Sequence, residues 1–354
     1  MRSRGAVSGY ASGAVDRDWI RQVCREAGAD DVGLVSLEDP AVVEERDYVL
    51  EALPRTQTLI ALCMRLNRDN MRSPPRSVAQ AEYNFAGEGL DVVARRICRE
   101  LEDRGIRAVY PPTFPMEVQR FPARMWIVSH KKVAVAAGLG RIGKHHNLIH
   151  PRFGTFIVLG TILMQVPVTG HDRPRDANPC IGCDLCVQVC PTGALRTDGR
   201  FDFLSCSTHT ARESLSGFRD WVEQIAESKD AEDYMRRVPD RESASMWQNL
   251  AYKSTLKCGY CVAVCPAGDD VIGQYLAGPE QFGVDVVRPL QNRSEEIYVL
   301  AGSAADDHVH AHFPNKVSRP VTSTPRPEVA PVDGAPGAQT AAHGAADNDS
   351  KEKP

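Results

Sequence analysis

Residues 180–191 read CIGCDLCVQVCP, and residues 258–266 read CGYCVAVCP. The first run, Cys180-x2-Cys183-x2-Cys186-x3-Cys190-Pro191, has the spacing of a bacterial four-iron cluster motif. Its short intervals let one looping segment aim three thiolates at a single iron–sulfur cube, while the cysteine before proline serves a second cube. The second run, Cys258-x2-Cys261-x3-Cys265-Pro266, has Thr255 where a leading cysteine would align. On this crossed assignment Cys180, Cys183, Cys186 and Cys265 hold one [4Fe–4S] cluster. Cys190, Cys258 and Cys261 hold the other and need a fourth ligand. Cys206, in the polar stretch SCSTH of the same domain, is the candidate. Cys24, Cys63 and Cys98 fall in apolar helix or strand patterns and read as small buried hydrophobes. Zinc sites or disulfides are the competing uses of such cysteines, and the Cys-Pro endings favour clusters.

The rest of the composition agrees. The chain has 354 residues, 11 cysteines and a formal net charge of −4. An odd cysteine count in metal-ligand spacings points to a reducing compartment. No apolar run is long enough to span a bilayer. Arg2 and Arg4 are followed by no apolar run, so no export signal is expected and the cytoplasm is the expected location, with no membrane partner. No global basic excess points to nucleic acid, although Arg95–Lys144 is locally basic.

Working outward, residues 1–16 read as a loose arm and 17–170 as an α/β domain of the α+β class. Trp19–Ala27 has helical spacing, Asp31–Ser36 and Thr58–Met64 read as strands, Leu90–Arg104 as a helix, and Thr155–Met164 as a central strand. Residues 171–276 form a ferredoxin-like double-cluster domain with a polar, helix-rich insertion at 207–257. An extension over 277–316 has a strand at Glu296–Leu300, and 317–354 is too poor in large apolar residues to order itself.

Lys132–Ala137 reads as a short strand leading into Gly138-Leu139-Gly140-Arg141-Ile142-Gly143-Lys144. The Rossmann pattern fits, but the acid expected some 20 positions later is missing. The phosphate-loop pattern fits too, but His145 stands where Ser or Thr would hold Mg²⁺. Two readings remain. The glycines and Lys144 cradle a phosphate, or they make a tight turn that packs one element on another.

The block from Gly138 to Gly160, GLGRIGKHHNLIHPRFGTFIVLG, followed by the cysteine runs, resembles the epoxyqueuosine reductases and corrinoid reductive dehalogenases. The resemblance implies a nitroreductase-like α/β sandwich holding base-off cobalamin, fed electrons by the two clusters. It implies that Gly138, Gly140, Gly143, Lys144 and Asn147 lie near the cofactor's nucleotide tail, and that Cys206 is a ligand. An external donor (ferredoxin, flavodoxin or a reductase) would supply the electrons. The chain is a divergent member: where epoxyqueuosine reductases carry a proton-donating Asp, Pro122–Ile127 has no carboxylate but Arg124, a poor proton donor. Tyr83 and His130 are the replacement candidates. The helical-repeat extension that helps hold tRNA is missing as well, so tRNA is not expected as substrate, and the substrate stays open. His145, His146 and His150 either line the cofactor site or face solvent, and His308, His310 and His312 would share one face of a strand. Rival readings are an accessory electron carrier without corrinoid and a flavin or nucleotide enzyme.

Overall fold

The computed structural model describes residues 13–113, 126–212, 215–253 and 257–321. Most of the N-terminal arm, residues 122–125 with Arg124, Thr255, and the chain beyond 321 lie outside the described residues. No helix among the described residues is long and apolar enough to cross a membrane.

The first part runs α1 (Arg17–Ala27), β1 (Asp31–Ser36), α2 (Arg46–Ala52), β2 (Thr58–Arg65), α3 (Arg68–Arg72), α4 (Arg76–Asp103) and β3 (Ala108–Val109). It continues with α5 (His130–Ala136), β4 (Arg141–Ile142), β5 (Leu148–Ile149) and β6 (Ile157–Met164). Four strands make an antiparallel sheet in the order β1-β2-β6-β3, so the long apolar run is an interior strand. β2 explains its own composition. Ile60 and Leu62 enter the core with α1 and α4, while Leu59, Ala61 and Cys63 enter a second core with α2 and α5. Alternate side chains leave opposite faces, so a strand covered by helices on both sides shows no polar face.

Two segments differ from the sequence expectation. Val133 to Ala136 alternates like a strand, yet 130–136 is helix α5. Ser129 caps it by accepting the Lys132 amide, and Val133, Ala134 and Ala136 are buried on one side. The helix expected over Leu90–Arg104 starts earlier, so AEYNFAGEG, residues 81–89, lies inside the 28-residue α4. Its glycines cost helix propensity, but Gly87 is buried and Gly89 sits against Met64 of β2, so close packing compensates.

The second part comprises α6 (Leu185–Gln188), α7 (Phe203–Thr210), the insertion helices α8 (Leu215–Glu227), α9 (Ala231–Arg237) and α10 (Asp240–Ala251), and α11 (Tyr260–Ala263). Then come α12 (Gly273–Ala277), α13 (Pro279–Phe282), α14 (Arg288–Gln291), β7 (Glu295–Leu300), α15 (Ala304–His312) and β8 (Lys316–Val321). β7 and β8 pair in parallel, so order extends past residue 317. The composition hid this because little of β8 faces a core; its hold is ionic. Buried Arg212, at the end of α7, pairs with Asp220 at 2.7 Å and with Glu242, and Glu242 also meets Arg319 of β8 at 2.5 Å. The three histidines near 310 lie on helix α15, not a strand. His308 and His312, one turn apart, stack at 4.3 Å, and exposed His310 turns to Asp306. His308 Nε2 lies 3.3 Å from the Cys190 carbonyl, which seats α15 on the first cysteine run.

The two parts are docked by arginines of α3 and α4. Buried Arg76 donates to the carbonyls of Met71 and Ser73, both at 3.0 Å, and of Cys258 at 3.2 Å, with its guanidinium over the Tyr260 ring. Arg72 donates to the Ala263 carbonyl at 3.2 Å. Charged donors to buried carbonyls are the stronger kind of hydrogen bond, so Arg76→Ala is expected to cost on the order of 2–4 kcal/mol. Thermal denaturation should show a clear fall in the midpoint. An unchanged midpoint would mean that the parts hold together without Arg76.

His209 on α7 is buried beneath Tyr298, whose amide donates to its Nδ1 at 3.3 Å. Burial pushes its imidazole down to about 4; Glu295 opposes this, and Lys257, Lys316 and Arg293 add to it. The unfolded chain, near the ordinary value of 6.5, therefore takes the proton first. The stability held by neutral His209 is complete above that value and is lost as pH falls toward 4. His209→Gln should lose less of its thermal midpoint between pH 7 and pH 5 than the parent protein. Parallel pH profiles for the two would refute this.

Candidate iron–sulfur centres and the hairpin that holds them

The two cysteine runs fold alike. Residues 183–191 (CDLCVQVCP) and 258–266 (CGYCVAVCP) differ only at three positions. Each turns through a left-handed residue, Asp184 at φ 58° or Gly259 at φ 95°, into a single helical turn that ends at a valine with φ −90° and ψ −8°. Val189 and Val264 pack in one core with Tyr260 and Ala263, so α6 and α11 lie against each other.

This pairing brings the thiols together in two sets. Cys180, Cys183, Cys186 and Cys265 line one pocket with Lys144, His145 and Pro266. Burial first, and then the neighbouring thiols, push Cys186 up to about 12. Cys265 is also pushed to about 12 by burial, eased by the Ala267 amide and the Thr155 hydroxyl. The second set is Cys190, Cys206, Cys258 and Cys261. Cys258 is raised to about 12 by burial and by Cys190 and Cys206. Cys261 is raised well above the usual thiol range by burial and by Cys258, Cys206 and Cys190. Cys206 reaches about 11 through burial, with Thr210 opposing. Each run thus sends its last cysteine to the other's set, and α7 delivers Cys206.

Both sets offer four sulfurs, the soft donors that iron–sulfur clusters take. Four neighbouring thiolates, buried or half-buried, would repel one another, and a cationic iron–sulfur core removes that cost, so the residues fit the group. Threonine hydroxyls lie beside two of the sulfurs: Thr192 lies 3.8 Å from Cys190 Sγ and Thr210 lies 3.7 Å from Cys206 Sγ. Sequence reading passed over these threonines. The offsets Cys190 to Thr192 and Cys206 to Thr210, on a turn and a helix, were the available signal.

The glycine loop has a different role from a phosphate cradle. It is a hairpin, with β4 paired to β5. Gly138 is left-handed at φ 73°, and a Cβ there would lie 2.6 Å from the Arg173 carbonyl oxygen. A Cβ on Gly140 would overlap the Ile149 carbonyl, and one on Gly143 would meet the Ile149 side chain. The amides of Gly138, Leu139, Gly143, His146 and Asn147 all bond within the protein. The hairpin grips the approach to the first cysteine run: Arg175 donates to the Gly138 carbonyl at 2.7 Å and Asn178 to the Ile142 carbonyl at 3.1 Å. Lys144 pairs with Asp184, between Cys183 and Cys186, instead of reaching out to a ligand. Asn147 accepts from Lys131 at 2.9 Å and donates to the His145 carbonyl at 3.3 Å. The glycines are required by close approach of protein to protein.

The histidines separate. His145 is buried. His146 stacks on Phe201 at 4.7 Å and meets the Gly199 carbonyl at 3.0 Å. His150 bonds Asp31 at 2.9 Å. His130 Nδ1 meets Thr161 of β6 at 2.9 Å, and burial pushes its ring down to about 4 against the Pro112 carbonyl and Glu45. Burial thus favours its neutral form at pH 7. Tyr83 lies on α4 against the core, and burial raises its phenol. Lys131 is exposed, and its ammonium donates to the His146 carbonyl and to Asn147 Oδ1, both at 2.9 Å.

A family model described as a 4Fe-4S binding domain matches residues 174–196. An epoxyqueuosine reductase of Bacillus cereus is 38% identical over 79 residues, covering 22% of this chain and 20% of that protein. One of Staphylococcus aureus is 36% identical over 181 residues, 46% of this chain and 43% of the relative. One of Gloeobacter violaceus is 29% identical over 177 residues, 48% and 50%. The chain thus spans between a fifth and half of the length of these relatives. Among solved structures, a reductive dehalogenase studied for B12-dependent dehalogenation aligns over 74% of this chain and 40% of its own, with 15% identity and a TM-score of 0.44. The epoxyqueuosine reductase of Streptococcus thermophilus aligns over 76% and 75%, with 18% identity and a TM-score of 0.41. The resemblance read from residues 138–160 and the paired cysteine runs is borne out: over about half of its length, this chain is similar to proteins named epoxyqueuosine reductase.

Proposed function

We propose that this chain is an iron–sulfur reductase that passes electrons from an external donor through two [4Fe–4S] clusters to a bound corrinoid. The observation that carries the reading is the crossed convergence of eight cysteines from separate segments into two sets of four sulfurs. Cys180, Cys183, Cys186 and Cys265 would hold the first cluster, and Cys190, Cys206, Cys258 and Cys261 the second. Cobalamin, when bound, supplies a cobalt centre that takes up the electrons and does the reductive chemistry. Its support here is the sequence similarity, with a nitroreductase-like type for the sandwich.

The shared name of the relatives makes epoxyqueuosine in tRNA the first substrate to test. The absence of a carboxylate over Pro122–Ile127 sets the expectation against it. Removing oxygen as water needs a proton, and general-acid help is worth ~10²–10⁴ in rate.

Anaerobically purified protein should hold about eight iron and eight sulfide per chain, as two cubes require. Cys206→Ala should lose or convert one cluster only, and reconstitution with cobalamin should give a base-off absorption spectrum. Iron near half that value would remove the two-cluster reading. Full iron with no retained corrinoid would leave an accessory electron carrier.

Expression in cells lacking their own epoxyqueuosine reductase, followed by nucleoside analysis of tRNA, checks the substrate. Little or no queuosine is expected. Its restoration would show that another group supplies the proton, and Tyr83 would be the first to substitute.

A further inference from the structure

The hairpin places one unused donor in the pocket of the first cysteine set. His145 is 4% exposed and lines the pocket formed by Cys180, Cys183, Cys186 and Cys265. Its Nδ1 accepts the Asn147 amide at 3.1 Å. An amide N–H can only donate, so Nδ1 is the bare nitrogen and the ring proton sits on Nε2. That Nε2 is buried and has no hydrogen-bond partner among the described residues. Buried donors are rarely left so, and an orphan marks either a strained site or a missing acceptor. The ring has little freedom to seek another acceptor. A Cβ on Gly143 would lie 3.1 Å from His145 Cε1, and Asn147, which grips the His145 carbonyl, is itself held by Lys131.

We infer that His145 donates its Nε2–H to a sulfur of the first cluster and raises that cluster's reduction potential. The inference rests on the two-cluster reading above. The chemistry is direct. Taking up an electron makes the cluster more negative, so a fixed N–H donor aimed at its sulfur favours the reduced form, and hydrogen bonds to sulfur are among the known determinants of cluster potential. His145 is a positioning residue for charge. It ligates nothing, and it tunes the first cluster separately from the second, whose sulfurs Cys190 and Cys206 have threonine hydroxyls beside them.

The test uses full-length, cluster-replete protein under anaerobic conditions, with potentials read by redox titration followed by electron paramagnetic resonance. His145→Phe should lower the potential of one cluster and leave the other unchanged. A tenfold shift in the ratio of reduced to oxidised cluster corresponds to ~59 mV for a one-electron couple. His145→Gln, which returns an N–H donor, should recover part of the shift. Parent protein labelled with ¹⁵N-histidine should show a weak histidine-nitrogen coupling on one cluster signal, lost in His145→Phe. Unchanged potentials in an iron-replete variant, or no nitrogen coupling in the parent, would overturn the inference. If the Phe variant fails to retain iron, the Gln variant and the nitrogen coupling decide. Parent protein with far less than eight iron would instead strike the two-cluster reading itself.

Discussion

Two sets of four buried or half-buried sulfurs must each be closed by a cysteine from the other run, and the second half of the molecule is arranged around that requirement. A thiol-rich pocket out of water is costly unless its charge is compensated, so the sets must form together with what fills them. Crossing locks the runs in one orientation, with α6 against α11 and each Cys-Pro reaching over to its neighbour's set. Nothing in that geometry depends on how far the chain travels between the runs. Closing a longer loop costs little entropy, so the helices between Cys206 and Cys258 can be inserted without disturbing the centres.

The first half of the molecule meets this unit through backbone-level contacts. Arg72 and Arg76 bond to carbonyls of the second run, Arg175 and Asn178 tie the approach to the first run onto the glycine hairpin, and His146 stacks beneath Phe201. The hairpin is the joint between the sandwich and the clusters. Its tightness comes from glycines at which any side chain would strike Arg173 or Ile149. Lys131, Asn147 and His145 form a short polar chain at this joint that ends at the first cysteine pocket.

The C-terminal extension supports the centres from outside. β7 packs on α7, the helix that carries Cys206, and α15 rests on the Cys190 carbonyl. Arg319 on β8 closes an ionic network with Glu242, which in turn meets Arg212 at the end of α7. Such buried networks add little net stability when complete, but they are strongly destabilising to break because a charge is left unpaired. They therefore hold the insertion and the last strand in one arrangement relative to the second cysteine set.

What the sequence determined by itself was whatever depends on short-range spacing. The cysteine intervals and Cys-Pro endings named the thiols as candidate ligands, and Cys180, Cys183, Cys186 and Cys265 line one pocket. Asp31–Ser36, Thr58–Met64 and Thr155–Met164 were legible as strands because a sheet covered on both faces needs unbroken apolar runs. Only tertiary structure decided the rest. Val133 to Ala136 alternates like a strand but is helical, because the Ser129 cap and one-sided burial outweigh a short pattern. The glycine loop fitted two nucleotide motifs, yet its glycines answer to the carbonyls of Arg173 and Ile149, which lie beyond any local window. Residues 317–321 looked too poor in large apolar residues to order, because the partners of Arg319, Glu242 and Glu296, come from distant parts of the chain. Spacing fixes which atoms can share a metal; only packing decides which neighbours take up the remaining donors, and the unclaimed proton of His145 is visible only there.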